Sequence, residues 1–251
     1  MQDAVLIHRI EHQREEQARG IVIVIDVIRA FTVAAYALAG GASGLWLVRT
    51  VEQALALREY APGALLAGEI NGRLIPGFDL NNSPHKMALA DVRGRCIIQR
   101  TGAGTQGAVR ACNATHLLVA SLTNARVTAA YAAALGRETG LPIALVPTEA
   151  TSGTFLRNED RYCCDYIETL ILQPGHAPEV LRDRLARLHA EGRFHRGGKE
   201  ADADFPHGDI ARILAVDCFN FVMVGTHREY RGFSYVEVAA KEVPPASPAG
   251  F

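Results

Sequence analysis

The sequence lacks several features that would identify its class at once. It contains no apolar run near the ~20 residues needed to cross a bilayer, and its first residues lack the basic start and apolar stretch typical of a secretory signal. Its net charge is -1, with 26 basic and 27 acidic side chains. Because such a chain has no general basic field, we expect no nucleic-acid partner and no membrane partner.

Cysteine is scarce and shows no pairing pattern. The five cysteines are odd in number and form no CxxC pair, which argues against a disulfide framework or a zinc site. Reduced thiols suit the cytoplasm, which is the expected location. The hydrophobic fraction of 49% is typical of a globular protein. A chain of 251 residues can bury its core as a single domain or as two closely associated lobes.

Apolar runs alternate with helix-period segments along the first two thirds of the chain. Residues 21–25 (IVIVI) are uniformly apolar and β-branched, which predicts a fully buried strand. A helical segment follows at 33–39 and ends at Gly40 and Gly41. Further strands are predicted at 44–48, 64–67, 95–99, 116–120 and 142–146, with helices between them. This order predicts a three-layer α/β/α fold around a largely parallel or mixed central sheet.

The C-terminal third is less regular. Residues 192–208 are rich in glycine and charge, which predicts a mobile loop, and residues 244–251 (PPASPAGF) predict a flexible tail. The remaining patterns predict helices at 178–190 and 209–216 and strands at 220–224 and 233–239.

Polar groups follow most of the predicted strands. Asp26 follows the first, Glu69 the third, and the loop at 101–107 (TGAGTQG) the next. Because loops at the carboxyl ends of parallel strands converge on one crevice, we expect these groups to meet at one edge of the sheet. Converging carboxylates suit Mg²⁺. Glycines ahead of a helix offer backbone amides to a phosphate or carboxylate.

Three familiar sites are disfavoured because the sequence lacks a residue that each of them needs. Haloacid dehalogenase phosphatases need a second aspartate two residues after the first, and here that position is Ile28. The loop at 101–107 lacks the lysine of a P-loop. It has the glycine spacing of a dinucleotide fold, but the next strand ends at Ala120 and Ser121 without the acidic residue that binds ribose.

Five segments in a fixed order carry a family resemblance: IVIDVIRAFT, AGEINGRLIPGFDLNNSP, RTGAGT, ASLTNA and NEDRYCCDYI. Together they resemble the 2-phosphosulfolactate phosphatase family. The resemblance implies a ComB-like α/β fold and a Mg²⁺-dependent phosphatase that hydrolyses the phosphate ester of a sulfonated 2-hydroxy acid in coenzyme M biosynthesis. The loop departs from the family, which usually reads closer to TTNGT. A catalytically silent relative that binds an anionic metabolite or a partner protein therefore stays open.

The resemblance also implies roles for individual residues. The catalytic candidates are Asp26, Arg29, Glu69 and Asp79. The Mg²⁺ candidates are Asp26, Glu69 and Asp79, with Glu159 or Asp160 completing the set. The substrate-binding candidates are Asn71, Asn82, Ser83, Thr101, Gly102, Gly104, Thr105 and Asn124. The expected partner is a small anionic phosphorylated substrate, and a homo-oligomer is compatible with the sequence.

Overall fold

The computed structural model describes residues 5–148, 159–175 and 203–243, with a few single positions between 179 and 187. The predicted tail at 244–251 lies outside the described residues, as do most of the predicted helix at 178–190 and most of the stretch at 192–208. The division into one domain or two lobes stays a prediction.

The described residues form an α/β fold. Its strands are β1 (Ile7–Arg9), β2 (Ile21–Ile25), β3 (Gly44–Val48), β4 (Leu65–Ile70), β5 (Arg73–Leu74), β6 (Cys96–Arg100), β7 (His116–Ala120), β8 (Ile143–Pro147), β9 (Phe221–Tyr230) and β10 (Phe233–Glu242). Its α-helices are α1 (Ala30–Ala39), α2 (Val51–Tyr60), α3 (Pro84–Leu89), α4 (Gly104–Arg110), α5 (Ala125–Thr139), α6 (Glu159–Leu172) and α7 (Gly208–Ile213). Within the described part, none of these helices is long and apolar enough to cross a membrane.

Strand β2 lies at the centre of a three-layer structure. Its alternate side chains point to opposite faces, as in any strand. Val22 and Val24 pack in the same core as Phe31 of α1, whereas the isoleucines of β2 pack in a second core with Ile167 of α6. All five residues of β2 are fully buried. The uniformly apolar run is therefore explained by helices on both faces of the sheet, and the predicted three-layer α/β/α fold is confirmed.

The sheet is mixed, and its strand order separates two parallel groups. The order is β1-β8-β2-β7-β9-β10-β3-β6-β4-β5. Strands β1, β8, β2 and β7 are parallel to one another, and so are β3, β6 and β4. The antiparallel pair β9 and β10 lies between the groups, so the two groups run in opposite directions. The predicted largely parallel or mixed sheet is therefore a mixed sheet, in which the carboxyl ends of the two groups of strands do not point in one direction.

The central hairpin of β9 and β10 is longer than its sequence pattern predicts. Each strand has 10 residues, because the polar half of β9 continues the ladder. The strands meet at Arg231 and Gly232, which both have positive φ, as a two-residue hairpin turn of this kind requires.

Helix α4 is anchored by a buried ion pair. Arg110, at its last turn, donates to both carboxylate oxygens of Glu15 at 2.9 and 3.1 Å. Burial by itself would raise the pKa of Glu15, but hydrogen bonds from His12 and Arg110 outweigh burial and hold that pKa well below its usual range. Glu15 is fully buried, so it stays ionised where an unpaired carboxylate would be unfavourable.

We expect Glu15→Gln to lower the free energy of unfolding by about 2 kcal/mol at pH 7, because it leaves the guanidinium without its bidentate partner. The pKa of Glu15 is lowered by folding, so its contribution is present above the unfolded pKa near 4.5 and is lost as pH falls below that value. Urea unfolding of both proteins from pH 7 to pH 3 measures this. A gap between the two proteins that stays constant down to pH 3 would contradict the role of the ion pair.

Candidate active site

Asp26 is the buried carboxylate at the end of β2. Only 4% of it is exposed, and its Oδ1 accepts a hydrogen bond from the first amide of α1, at Ala30, over 2.9 Å. Burial, with a contribution from the negative charge of Glu69, raises the pKa of Asp26 to about 6 against the lowering effect of hydrogen bonds from Ala30, Thr148 and Gly104. A carboxylate with this pKa can exchange a proton close to neutral pH.

A second carboxylate, Asp160, lies beside it. Asp160 belongs to the first turn of α6, and its Oδ1 accepts the Val27 amide at 2.7 Å. The Thr148 hydroxyl, directly after β8, lies 3.3 Å from Asp26 Oδ2 and 3.4 Å from Asp160 Oδ2. A hydroxyl has one proton and can donate to only one of these oxygens. The site thus places two buried carboxylates around a single donor.

Glu69 lies one residue before the end of β4. It reaches the same site from the second group of parallel strands, which contains β3, β6 and β4. Its Oε1 accepts the Gly102 amide and its Oε2 the Gly72 amide, each at 2.6 Å. The turn at Asn71 and Gly72 is formed by two residues with positive φ, as in a tight β4–β5 hairpin. The loop before α4 therefore directs an amide to a protein carboxylate. The prediction that the Gly102 amide takes a substrate oxygen gains no support from this geometry.

Helix α4 brings the two groups of strands together. It follows β6, yet its first residue lies against the end of β2. A Cβ atom added at Gly104 would lie 2.6 Å from Asp26 Oδ2 and 2.7 Å from the Cβ of Ala30. Only a residue without a side chain allows this close approach. The polar ends of β2, β4, β6 and β8 meet through this contact, although their strands do not run in one direction.

Arg29 occupies the N-cap position of α1, and its side chain is buried. Its Nη1 donates to Asp209 Oδ2 at 2.8 Å and to the Asp204 carbonyl at 2.5 Å. Its Nη2 lies 3.5 Å from the carbonyl oxygen of Gly72, the residue whose amide binds Glu69. Arg29 and Glu69 are therefore linked through one turn residue. Asp209 was missed by the sequence analysis because it lies in an irregular part of the chain with no recognisable motif.

Asp79 is not brought to this cluster. Its carboxylate accepts the Leu66 amide, at the opposite end of β4 from Glu69, over 2.8 Å. It also contacts Arg58, and both side chains are 39% exposed. These contacts give Asp79 a structural role in holding the loop after β5 against β4, and they give no support to its predicted part in catalysis or metal binding.

Asn71, Asn82, Ser83 and Asn124, which were predicted to bind substrate, lie in turns, in the buried interior or at the start of a helix. Asn71 is an exposed turn residue, and Asn124 accepts the Ser121 amide in a buried turn after β7. Asn82 Oδ1 lies 3.4 Å from Gln99 Nε2 in the buried interior. Ser83 caps α3 by accepting the Lys86 amide at 3.1 Å. A serine followed by proline is a recognisable helix start, so α3 was predictable from the sequence.

Thr101 and Thr105 hydrogen-bond to each other within the loop before α4. The Thr101 amide donates to the Thr105 hydroxyl at 2.9 Å, and the Thr105 amide lies 3.2 Å from the Thr101 hydroxyl. Both residues are buried. Glu159 is buried at the start of α6 beside Asp160. The roles predicted for these residues in binding stay predictions.

Two carboxylates of this site, Asp26 and Asp160, are the candidates for holding a divalent cation. Among the described residues, no group of three or more His, Cys, Asp and Glu side chains could hold a metal ion. Mg²⁺, however, is usually held by one or two carboxylates together with waters and substrate phosphate. Asp26 and Asp160 share one hydroxyl donor, and Glu69 adds a further negative charge. Neighbouring carboxylates repel each other when all of them are ionised, and a bound proton or cation relieves this repulsion.

Comparison with known proteins agrees with this geometry. The sequence profile described as 2-phosphosulpholactate phosphatase matches residues 7–190. The chain belongs to this family. Family members named "Probable 2-phosphosulfolactate phosphatase" are 40% identical over 160 residues in Bacillus subtilis (strain 168) and 41% over 156 residues in Deinococcus radiodurans. A third, from Thermus thermophilus, is 43% identical over 119 residues.

These alignments cover only part of each family member. They include 64%, 62% and 47% of this chain and 68%, 63% and 49% of the three relatives. The family profile ends at residue 190, so it includes Asp26, Glu69 and Asp160 but not α7. The family match therefore spans the segments that carry these three carboxylates and ends before Asp209.

Proposed function

We propose that the chain is a Mg²⁺-dependent phosphatase that hydrolyses the phosphate ester of a small 2-hydroxy acid, such as 2-phosphosulfolactate, to sulfolactate and phosphate. The observation that carries the proposal is the meeting of Asp26, Glu69 and Asp160 with Arg29 at the ends of β2 and β4 and the start of α6. Membership of the phosphatase family supports the same reaction class. A cytoplasmic location is part of the proposal, since all five cysteines are described and free.

Charge decides the roles in this proposal. A phosphomonoester next to a carboxylate or sulfonate carries several negative charges, so binding needs positive groups. Asp26 and Asp160, with Glu69 close by, would hold the cation, which neutralises charge on the phosphoryl oxygens when it is bound. Arg29 supplies a planar guanidinium that can meet two oxygens of one anion.

Two routes use the same carboxylate. In one, Asp26 removes a proton from the attacking water, whose oxygen bonds to phosphorus while the ester oxygen leaves with the electron pair. In the other, an Asp26 oxygen bonds to phosphorus while the ester oxygen leaves with the electron pair and takes a proton from solvent, and water then cleaves the acyl phosphate to give phosphate and the free aspartate. In both, Asp26 reacts as a carboxylate, and its pKa of about 6 keeps that form abundant at neutral pH.

A substrate panel tests the proposed class. Phosphate release is measured with Mg²⁺ for 2-phosphosulfolactate, phospholactate, phosphoglycolate and an aryl phosphate without a second anionic group. We expect kcat/KM to be at least about 10-fold higher for 2-phospho acids than for the aryl phosphate, because Arg29 binds the second anion. Equal rates across the panel would contradict a preference for 2-hydroxy acids, and no release from any member would reject the phosphatase.

One observation favours a second candidate, a relative that binds an anionic metabolite or a partner without hydrolysis. The Gly102 amide and the Gly104 amide serve Glu69 and Asp26, and Arg100 donates to the Glu69 carbonyl at 2.7 Å. The loop that departs from the family pattern is therefore occupied by protein groups. If the panel gives no phosphate while sulfolactate or inorganic phosphate raises the melting temperature, this second candidate is correct.

A further inference from the structure

Arg29 is enclosed by a C-terminal segment that carries no recognisable motif. Only 5% of Arg29 is exposed. Its guanidinium lies over the ring of Phe205, with 4.5 Å between its carbon and the ring centre. Both protons of Nη1 are used, one by Asp209 and one by the Asp204 carbonyl. The segment from 204 to 209 thus holds one side of the guanidinium by stacking and by hydrogen bonds.

The Asp209 carboxylate is also held by hydrogen bonds from residues other than Arg29. It is fully buried, and its Oδ1 accepts the Ser83 hydroxyl at 2.5 Å and the His85 amide at 3.0 Å. These contacts at the start of α3 leave Oδ2 for Arg29. The carboxylate is therefore clamped between α3 and the guanidinium, in a position where its charge is fully paired.

The close contact of α7 with α3 sets the position of this carboxylate. A Cβ atom added at Gly208 would lie 2.4 Å from the ring nitrogen Nδ1 of His85. A methyl group at 208 would therefore collide with the His85 ring, so either that ring turns aside or α7, with Asp209, moves away from α3. Where α7 moves, this glycine provides a way to displace Asp209 without changing its chemistry.

The other edge of the guanidinium makes no short hydrogen bond to the described residues. Within the described part of the chain, Nε makes no hydrogen bond, and Nη2 has only the long 3.5 Å contact with Gly72. Nε and Nη2 form one edge of the planar group and can bind two oxygens of one anion. This edge is the one on the side of the Gly72 turn, whose amide binds Glu69.

We propose that Asp209 is a positioning residue. It holds Nη1 of Arg29 so that the Nε and Nη2 edge binds two oxygens of a substrate anion. The proposal rests on the proposed function for the identity of the substrate, but it concerns a residue beyond 190, where the family profile ends. A guanidinium held on one edge loses little rotational freedom when the other edge binds, so the anion binds more tightly.

The test compares Asp209→Asn, Arg29→Lys and the double variant. The probes are inorganic phosphate, bound in a calorimeter, and the KM and kcat for 2-phosphosulfolactate. We expect Asp209→Asn to weaken phosphate binding and to raise KM about 10-fold, with kcat changed much less, because an interaction present in both ground and transition states is lost. In the Arg29→Lys background, Asp209→Asn should add little, because an ammonium has no planar edge to orient.

A pair of glycine variants covers the case in which Asp209→Asn does not fold. Gly208→Ala should weaken phosphate binding in the same way, with the carboxylate intact. Gly175→Ala is the matched control, because a Cβ atom there meets nothing within 4 Å. Phosphate binding that stays unchanged in Asp209→Asn, or in a Gly208→Ala protein whose crystal structure shows α7 displaced, would overturn the proposal. It would also be overturned if the effects of Asp209→Asn and Arg29→Lys on the free energy of phosphate binding add independently, or if the wild type binds no phosphate. The proposed function is judged separately, by phosphate release from the wild type.

Discussion

Replacing Asp26 by asparagine is expected to abolish most phosphate release and to change how the stability of the protein depends on pH. The amide keeps the shape of the side chain, but it can neither take a proton nor bind a cation as a carboxylate does. We expect kcat/KM to fall by about 10³-fold, within the range found for a general base. The fall should be in kcat, since the reacting group itself is lost.

The change in pH dependence follows from burial. The pKa of Asp26 is about 6 in the folded protein, above its ordinary value of 3.8, so ionisation disfavours the folded state as pH rises. An asparagine cannot ionise, although its nitrogen cannot accept the hydrogen bonds that Asp26 accepts. We therefore expect the free energy of unfolding of the variant, relative to the wild type, to rise by about 1 to 2 kcal/mol between pH 4 and pH 8 in a chelating buffer. Urea unfolding and phosphate assays on the same preparations measure both effects.

The matched control for this variant is Asp165→Asn. Asp165 lies on the same helix as Asp160, but its side chain is 49% exposed in a surface pair with Arg9. We expect its activity to equal that of the wild type and its stability to change by less than about 0.5 kcal/mol. An Asp26→Asn protein that keeps wild-type turnover would show that the chemistry takes place elsewhere.

Gly104→Ala is expected to have the second largest effect. The added methyl group would lie 2.6 Å from Asp26 Oδ2 and 2.7 Å from the Cβ of Ala30, closer than carbon atoms approach in proteins. Because Asp26 and α1 must move apart from α4, we expect kcat/KM to fall about 100-fold. The free energy of unfolding should fall by about 1 to 3 kcal/mol, as in other overpacked sites.

Gly175→Ala separates this steric effect from the general effect of losing a glycine. Its surroundings are open, so its kinetics should match those of the wild type. Steady-state kinetics and urea unfolding of both variants decide the point. If Gly104→Ala were as active as Gly175→Ala, the close approach of α4 to Asp26 would have no part in forming the site.

Local patterns predicted the elements of this fold well. The apolar run of residues 21–25 forms β2 as the sequence predicts. Thr50 and Gln53 form a capping box before α2, and Asn71 with Gly72 forms the β4–β5 turn; both features depend on neighbouring residues alone, but the sequence analysis did not use them. Asp26 and Glu69 were identified from their positions at strand ends together with the family resemblance.

Other features depend on residues far apart in the chain. The antiparallel hairpin of β9 and β10 lies between the two groups of parallel strands, so the groups run in opposite directions. No local sequence pattern predicts this arrangement. Asp79 lies in a motif next to Glu69 but turns to the other end of β4, where Leu66 and Arg58 bind it. Asp209 meets Arg29 across 180 positions. Such contacts can be found only once the chain is folded.

The central claim is that the buried carboxylates around Asp26 form a metal-dependent phosphatase site. The most direct measurement is the initial rate of phosphate release from 2-phosphosulfolactate by the metal-stripped protein, before and after Mg²⁺ is added. We expect negligible phosphate release without the cation and saturable activation when Mg²⁺ is added. We expect the Asp26→Asn variant to show no such activation. Full activity in the presence of a chelator, or no activity with Mg²⁺ in a protein that unfolds cooperatively, would contradict it.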